Sequence, residues 1–153
     1  MEMRTLTLTA AAVALAAWGS EKLLPYPATE YRAELNGIME TPPNQSRATG
    51  TATLTLLGNE LQYKIIVHGL SGAATAAHVH VGQAGSSGGP VVMLTVDKRA
   101  DGTIADDSVD LAKGGSSIPV DSLKSLLDKG GTYVNVHTAQ FPGGEIRGQL
   151  VKH

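Results

Sequence analysis

Two short stretches of this chain carry histidines in strand phase. Ala77-His78-Val79-His80-Val81 holds two, and Tyr133-Val134-Asn135-Val136-His137-Thr138 holds a third. In a β-strand, alternate side chains point to opposite faces. His78 and His80 therefore share one face while Val79 and Val81 take the other. The same parity sets Asn135 and His137 against Val134 and Val136. His78 and His80 would have Cα atoms about 6.6 Å apart, within reach of one ion held by two imidazoles. A third imidazole from an adjacent strand completes a three-histidine set with an open coordination position. The sequence thus predicts a metal site at His78, His80 and His137 outside a valine-lined core. Neutral imidazole suits copper, zinc, iron and nickel, and the affinity order favours copper(II). Copper is the expected ion, with zinc or no metal as alternatives. The competing expectation is structural: the same rings hydrogen-bond the loop Gly82–Gly89 and hold the end of the sandwich, served by Asn135 and Thr138.

The elements that must position these residues follow from turns and periodicity. The chain has 153 residues, 42% hydrophobic and only 4% aromatic, so its core must be built from Val, Leu, Ile and Ala. Eighteen glycines and seven prolines, with repeated Thr/Val alternation, predict many short strands and tight turns. Strands are expected at 31–39, 49–57, 60–67, 77–81, 91–96, 103–111, 132–138 and 145–151. Gly58-Asn59 should close a hairpin between the second and third. A helix is expected over Pro119–Asp128, on the stripe Val120, Leu123, Leu126 and Leu127, with Asp121 capping its start and Gly130 its end. The fold class is all-β: an antiparallel sandwich of seven or eight strands with one short helix near 119–128.

Residues Thr5–Gly19 are uncharged and apolar, and Arg4 precedes them. Segment 1–22 reads as a secretory signal peptide or an uncleaved N-terminal membrane anchor. As a helix, fifteen residues span roughly 22 Å, short of a ~30 Å hydrocarbon core. Segment 23–29, with Pro25 and Pro27, reads as a linker, leaving a folded domain at 30–151. Either reading of the N-terminus implies export, to a periplasmic or extracellular setting. A net charge of -2 gives no field for nucleic acid, and no basic patch with interleaved aromatics is present. The absence of cysteine excludes disulfides, thiolate ligands and a cysteine nucleophile.

The motifs Ala77–Gly82, Gly89-Pro90-Val91-Val92, Tyr133–Thr138 and Pro142-Gly143-Gly144-Glu145-Ile146-Arg147-Gly148-Gln149-Leu150 resemble the CHRD (chordin) domain family, over nearly all of Glu30–Val151. The resemblance implies a secreted or cell-surface domain with an immunoglobulin-like β-sandwich, and little about activity. A shorter stretch, Val67-His68-Gly69-Leu70 followed by His78-Val79-His80, resembles the copper-side strand of copper/zinc superoxide dismutases. In those sandwiches an H-x-H pair and a later histidine hold copper, positions matched by His78, His80 and His137. No histidine lies between His80 and His137, so the metal-bridging ligand is missing, as is the disulfide. Three functions follow as expectations. The first is an exported domain that binds a copper-type ion. The second is a non-catalytic accessory subunit, held by its N-terminal segment to an envelope membrane complex. The third is a copper-only, dismutase-like oxidoreductase.

Other residues read as structural. His68 is expected in solvent, with a fourth-ligand role as the sharper alternative, and terminal His153 is expected to be disordered. Glu145 and Arg147 are expected on one strand face, paired or hydrogen-bonded so as to tie the last strand to the histidine-bearing loop, with anion steering the sharper role for Arg147. Asp97, Asp101, Asp106, Asp107 and Asp110 lack calcium-loop spacing and read as turn and strand-face residues.

Overall fold

The Thr/Leu alternation of residues 49–57 places one face of a strand in the core and the other toward solvent, and it pairs with a second alternating run across Gly58-Asn59. In the computed structural model, which describes residues 27–153, these are β2 (Thr49–Leu57) and β3 (Glu60–His68), an antiparallel hairpin in register from Thr49↔His68 to Leu57↔Glu60. Gly58 turns it at φ 61°. Before it runs β1 (Thr29–Asn36). After it come β4 (Ala74–Val81), β5 (Pro90–Leu94), β6 (Gly102–Asp110), α1 (Val120–Asp128), β7 (Thr132–Thr138), β8 (Ile146–Gln149) and β9 (Val151–Lys152). All pairings are antiparallel. The strand order is β5-β4-β7-β8-β1-β2-β3-β6, with β9 also on β1. The sheet curls into a nearly closed sandwich around one core, to which Leu54, Leu61, Ile65, Val134, Val136 and Ile146 contribute. The class is all-β, as the alternation implies.

Several boundaries differ from expectation, each for a local reason. β1 ends at Asn36, because the Asn36 side chain accepts from the Met39 N–H (3.1 Å) and winds Gly37–Met39 into a 3-10 turn. Ile38 and Met39 are left exposed on it. Asp121 does not cap α1. Pro119 occupies the cap position and makes no side-chain bond, while Asp121 lies in the first turn, where its charge favours the helix dipole. Gly130 does end the helix, at φ 66°. Leu123 and Leu127 bury the helix's apolar stripe. The last strand is split in two, giving nine strands rather than eight. At the break, Leu150 turns fully into the core and its N–H donates to Thr132 O (3.0 Å).

β8 meets β1 closely. A Cβ on Gly148 would overlap the carbonyl oxygen of Glu34. That oxygen is main chain and cannot swing away. Just before β8, Glu145 is fully buried and does not pair with Arg147. Its carboxylate accepts from Ser46 Oγ (2.7 Å), Ser71 N (2.9 Å), Ser71 Oγ (2.6 Å) and Thr138 Oγ1 (2.6 Å). Burial alone would raise this carboxyl, but these donors outweigh it and hold it below the usual range. The N-terminal signal-or-anchor reading and most of the linker fall on residues 1–26, outside the described residues. Among the described residues, no helix is long and apolar enough to cross a membrane.

The close approach gives a sharp contrast between two neighbouring glycines. Gly148→Ala should lower stability by about 3 kcal/mol, because overpacking against main chain forces the strands apart. Gly143→Ala, with open space around the new methyl, should stay within about 0.5 kcal/mol of wild type. Urea denaturation of the two variants checks this.

Candidate metal centre

The register between β4 and β7 builds the site. Ala76 pairs with His137, His78 with Asn135 and His80 with Tyr133, while Ala77 pairs with Val136 and Val79 with Val134. Directly opposed residues share a face. The three imidazoles, Asn135 and Tyr133 therefore lie on the outer face, and the valines point inward. Val79, Val134 and Val136 are fully buried. Val81, expected to be equally buried, is only partly so, since it sits at the strand's end beside the glycine-rich loop.

The three histidines are brought together, with one ligand nitrogen from each lying within 4.8 Å of the others. His78 Nδ1 is 3.1 Å from His137 Nε2. His80 Nδ1 lies 2.8 Å from the carbonyl of Gly88, and His137 Nδ1 lies 2.9 Å from that of Pro142. A carbonyl oxygen only accepts, so both Nδ1 atoms carry the proton and donate. In a neutral ring the lone pair then sits on Nε2. His80 Nε2 is buried and has no hydrogen-bond partner. His137 Nε2, left with the lone pair, accepts from His78 Nδ1–H (3.1 Å) and makes no hydrogen bond to Asn135 Oδ1, itself an acceptor, 3.0 Å away. Fixing a ring by Nδ1–H to a main-chain carbonyl while Nε2 points into a shared space is the outer-shell arrangement of metal-binding histidines. The structural expectation is met by His80 alone, which holds the loop Gly82–Gly89 through Nδ1; His78 and His137 do not bond that loop, and Thr138 serves Glu145 instead.

That loop is folded hard against the sheet. A Cβ on Gly88 would overlap the Val81 carbonyl, so only glycine lets the loop return far enough to meet His80. Arg147 clamps the loop from the other side, donating to Gln83 O (3.0 Å), Ser86 O (2.7 Å) and Thr41 Oγ1 (3.3 Å). Its guanidinium carbon lies 3.4 Å from the centroid of the Tyr133 ring, and that ring stacks on His80 at 4.8 Å and 9°. Arg147 thus ties the last strand to the histidine-bearing loop through hydrogen bonds. At 1% exposure it does not reach solvent to steer an anion.

The site's electrostatics disfavour protonation of His78 and His80. Burial, then the neighbouring charges of His137 and His80, hold His78 down to about 4. Burial likewise lowers His80, against the Gly88 carbonyl and the nearby Asn135 side chain, which raise it, although no Asn135 atom meets hydrogen-bond geometry with Nε2. Glu40 lies close behind the site and was not singled out from the sequence. It is buried, and one carboxylate oxygen has no partner. Burial raises its carboxyl to about 7, against Arg147 and Asn135, which lower it. A Cβ on Gly144 would overlap that orphan oxygen. No sequence signal marks Glu40, because its burial depends on a turn more than a hundred residues further on.

The other candidates lie apart. His68 is exposed on β3, with Nδ1 3.1 Å from Asp101 Oδ1. His153 is ordered by its N–H to Glu30 O (2.8 Å). Asp106 pairs with Lys64 (3.1 Å), and Asp110 caps a short 3-10 turn by accepting from Ala112 N (3.0 Å).

Two opposed pH effects follow for the metal-free protein. His78 and His80 have folded pKa values below the unfolded value of about 6.5. As pH falls below that value, the unfolded chain takes up protons that the folded one refuses, and stability drops, for His78 down to about 4. Glu40 acts in reverse. Between its ordinary value of 4.5 and about 7 the folded form keeps a proton that the unfolded form has lost, so its contribution shrinks as pH rises. Glu40→Gln should therefore steepen the loss of stability from pH 7 to 4.5, and His78→Gln should flatten it. Denaturation midpoints against pH, with a chelator present, check both.

Comparison with known proteins places this architecture. Residues 31–150 match the family model described as the CHRD domain. The chain is also 32% identical over 148 residues to chordin from Danio rerio, an alignment covering 86% of this chain. It spans only 14% of that relative's length. No solved structure matches the chain. With the family model covering the sheet from β1 to Leu150 and both histidine-bearing strands, the chain belongs to the CHRD domain family.

Proposed function

We propose that this CHRD domain binds one copper-type ion through His78, His80 and His137. The observation that carries the reading is the buried, partnerless Nε2 of His80, in a cluster whose ligand nitrogens lie within 4.8 Å of one another. An unpaired buried polar atom costs free energy, and a metal ion at the cluster would satisfy it. Three imidazoles with no thiolate or carboxylate among them suit copper(II) best in the affinity order, with zinc next. The donor set leaves a coordination position open. The apolar, uncharged run Thr5–Gly19 supports export, with the domain working in a periplasmic or extracellular setting.

The function we propose is binding rather than rapid turnover. The sequence has no histidine between His80 and His137 to bridge a second metal, and Arg147 is too buried to guide an anion.

Replacing His78, His80 and His137 together by alanine should abolish stoichiometric copper(II) binding, measured by isothermal titration. Circular dichroism should report an intact sandwich, since the ligands lie outside the valine core. Equal copper uptake by wild type and variant would move the site elsewhere. Collapse of the variant would give the rings a purely structural role. Copper-loaded wild type should dismutate superoxide far below the diffusion ceiling of roughly 10⁹ M⁻¹s⁻¹. A rate near that ceiling, lost in His137→Ala, would make the domain an enzyme.

A further inference from the structure

Of the three clustered histidines, His78 alone has a ring that no main-chain carbonyl holds, and its cross-strand neighbour on β5 is a methionine. β5 pairs with β4 so that His78 lies directly opposite Met93 and Val79 opposite Val92. Opposed residues in an antiparallel pair share a face, with Cβ atoms about 4.5–5.5 Å apart. Met93 is therefore on the outer face, beside the imidazole, while Val92 and Leu94 turn into the core. A single row runs across four strands: Met93, His78, Asn135 and Arg147. Met93 is 62% exposed, so its side chain is little used in packing.

We infer that the thioether of Met93 is a further ligand of the same ion, which makes the site competent for copper(I) as well as copper(II). This rests on the three-histidine reading and adds a ligand and an oxidation state to it. Met93 Sδ stands two bonds beyond Cβ on an unbranched chain with three rotatable bonds, so it can reach over its cross-strand neighbour. Thioether sulfur is soft and selects copper(I), whereas imidazole serves either state. β5 is the terminal strand of the sheet order, with β4 its one sheet neighbour, so Met93 stands at the solvent edge of the cluster. No electron transfer is involved: the ion is bound in whichever state it arrives.

The test uses the full chain carrying ¹³C-methyl methionine, with silver(I) as a redox-inert stand-in for copper(I). The sequence has four methionines, and Met93→Leu identifies the Met93 resonance. Stoichiometric silver(I) should shift the Met93 methyl and leave that of Met39 in place, and the shift should vanish in the triple-alanine variant. Under anaerobic reducing conditions, competition with a copper(I) chelator should show at least about tenfold weaker binding by Met93→Leu. Copper(II) affinity should be nearly unchanged. Leucine conserves volume at an exposed position, so the fold is kept. An unmoved Met93 methyl, or unchanged copper(I) affinity in Met93→Leu, overturns the inference. If copper(II) still binds through the histidines, the three-ligand site stands without it. A Met93 shift that persists in the triple-alanine variant overturns the shared site.

Discussion

A single buried cation organises the functional end of this domain. Arg147 has almost no contact with solvent and forms no ion pair among the described residues. A charge taken out of water without compensation is very costly. Here two loop carbonyls, a threonine hydroxyl and the face of Tyr133 supply the compensation. Each of those partners is thereby fixed. The loop carbonyls hold Gly82–Gly89 against the sheet, and that loop presents the Gly88 oxygen to His80. The Tyr133 ring, trapped beneath the guanidinium, stacks on the same imidazole. The orientation of His80 is the result of satisfying Arg147.

Glu145 does the same work at the neighbouring corner with the opposite charge. Its carboxylate gathers Ser46, Ser71 and Thr138. Thr138 closes β7 immediately after His137, so the turn that offers the Pro142 carbonyl to His137 is anchored from within. Two buried ions, each satisfied by neutral dipoles rather than by the other, therefore hold the loops whose carbonyls fix the two histidine tautomers.

The face assignments were legible in the sequence because strand parity has a period of two, and no tertiary information is needed to see His78 and His80 oppose Val79. The hairpin at Gly58-Asn59 and the Leu123/Leu127 stripe were legible for similar reasons of local chemistry. What the sequence could not reveal depends on partners far along the chain. Val81 fits the pattern of a core residue, but at the end of its strand the cover runs out. Glu145 and Arg147 look like a same-face pair two residues apart. The strand begins only at Ile146, and each side chain finds better-placed partners in loops, respectively around Ser71 and Ser86. The burial of Glu40 follows from the approach of Gly144, and the place of Met93 beside His78 follows from the long-range pairing of β5 on β4.

The proton-holding carbonyls at Gly88 and Pro142 have a consequence for charge balance. Many metal-bound histidines lean on a carboxylate, which lends the centre negative charge. Here the outer shell is main chain, burial holds His78 and His80 toward the neutral form, the Arg147 cation lies behind them, and burial raises the Glu40 carboxyl to about 7. The protein therefore offers an incoming ion donors but almost no counter-charge. A monovalent ion would find that environment tolerable. A divalent one would have to bring its neutralising partner from solvent, as hydroxide, chloride or another small anion in the open position, so the filled site would behave as a receptor for anions although the empty face has no charge with which to attract them.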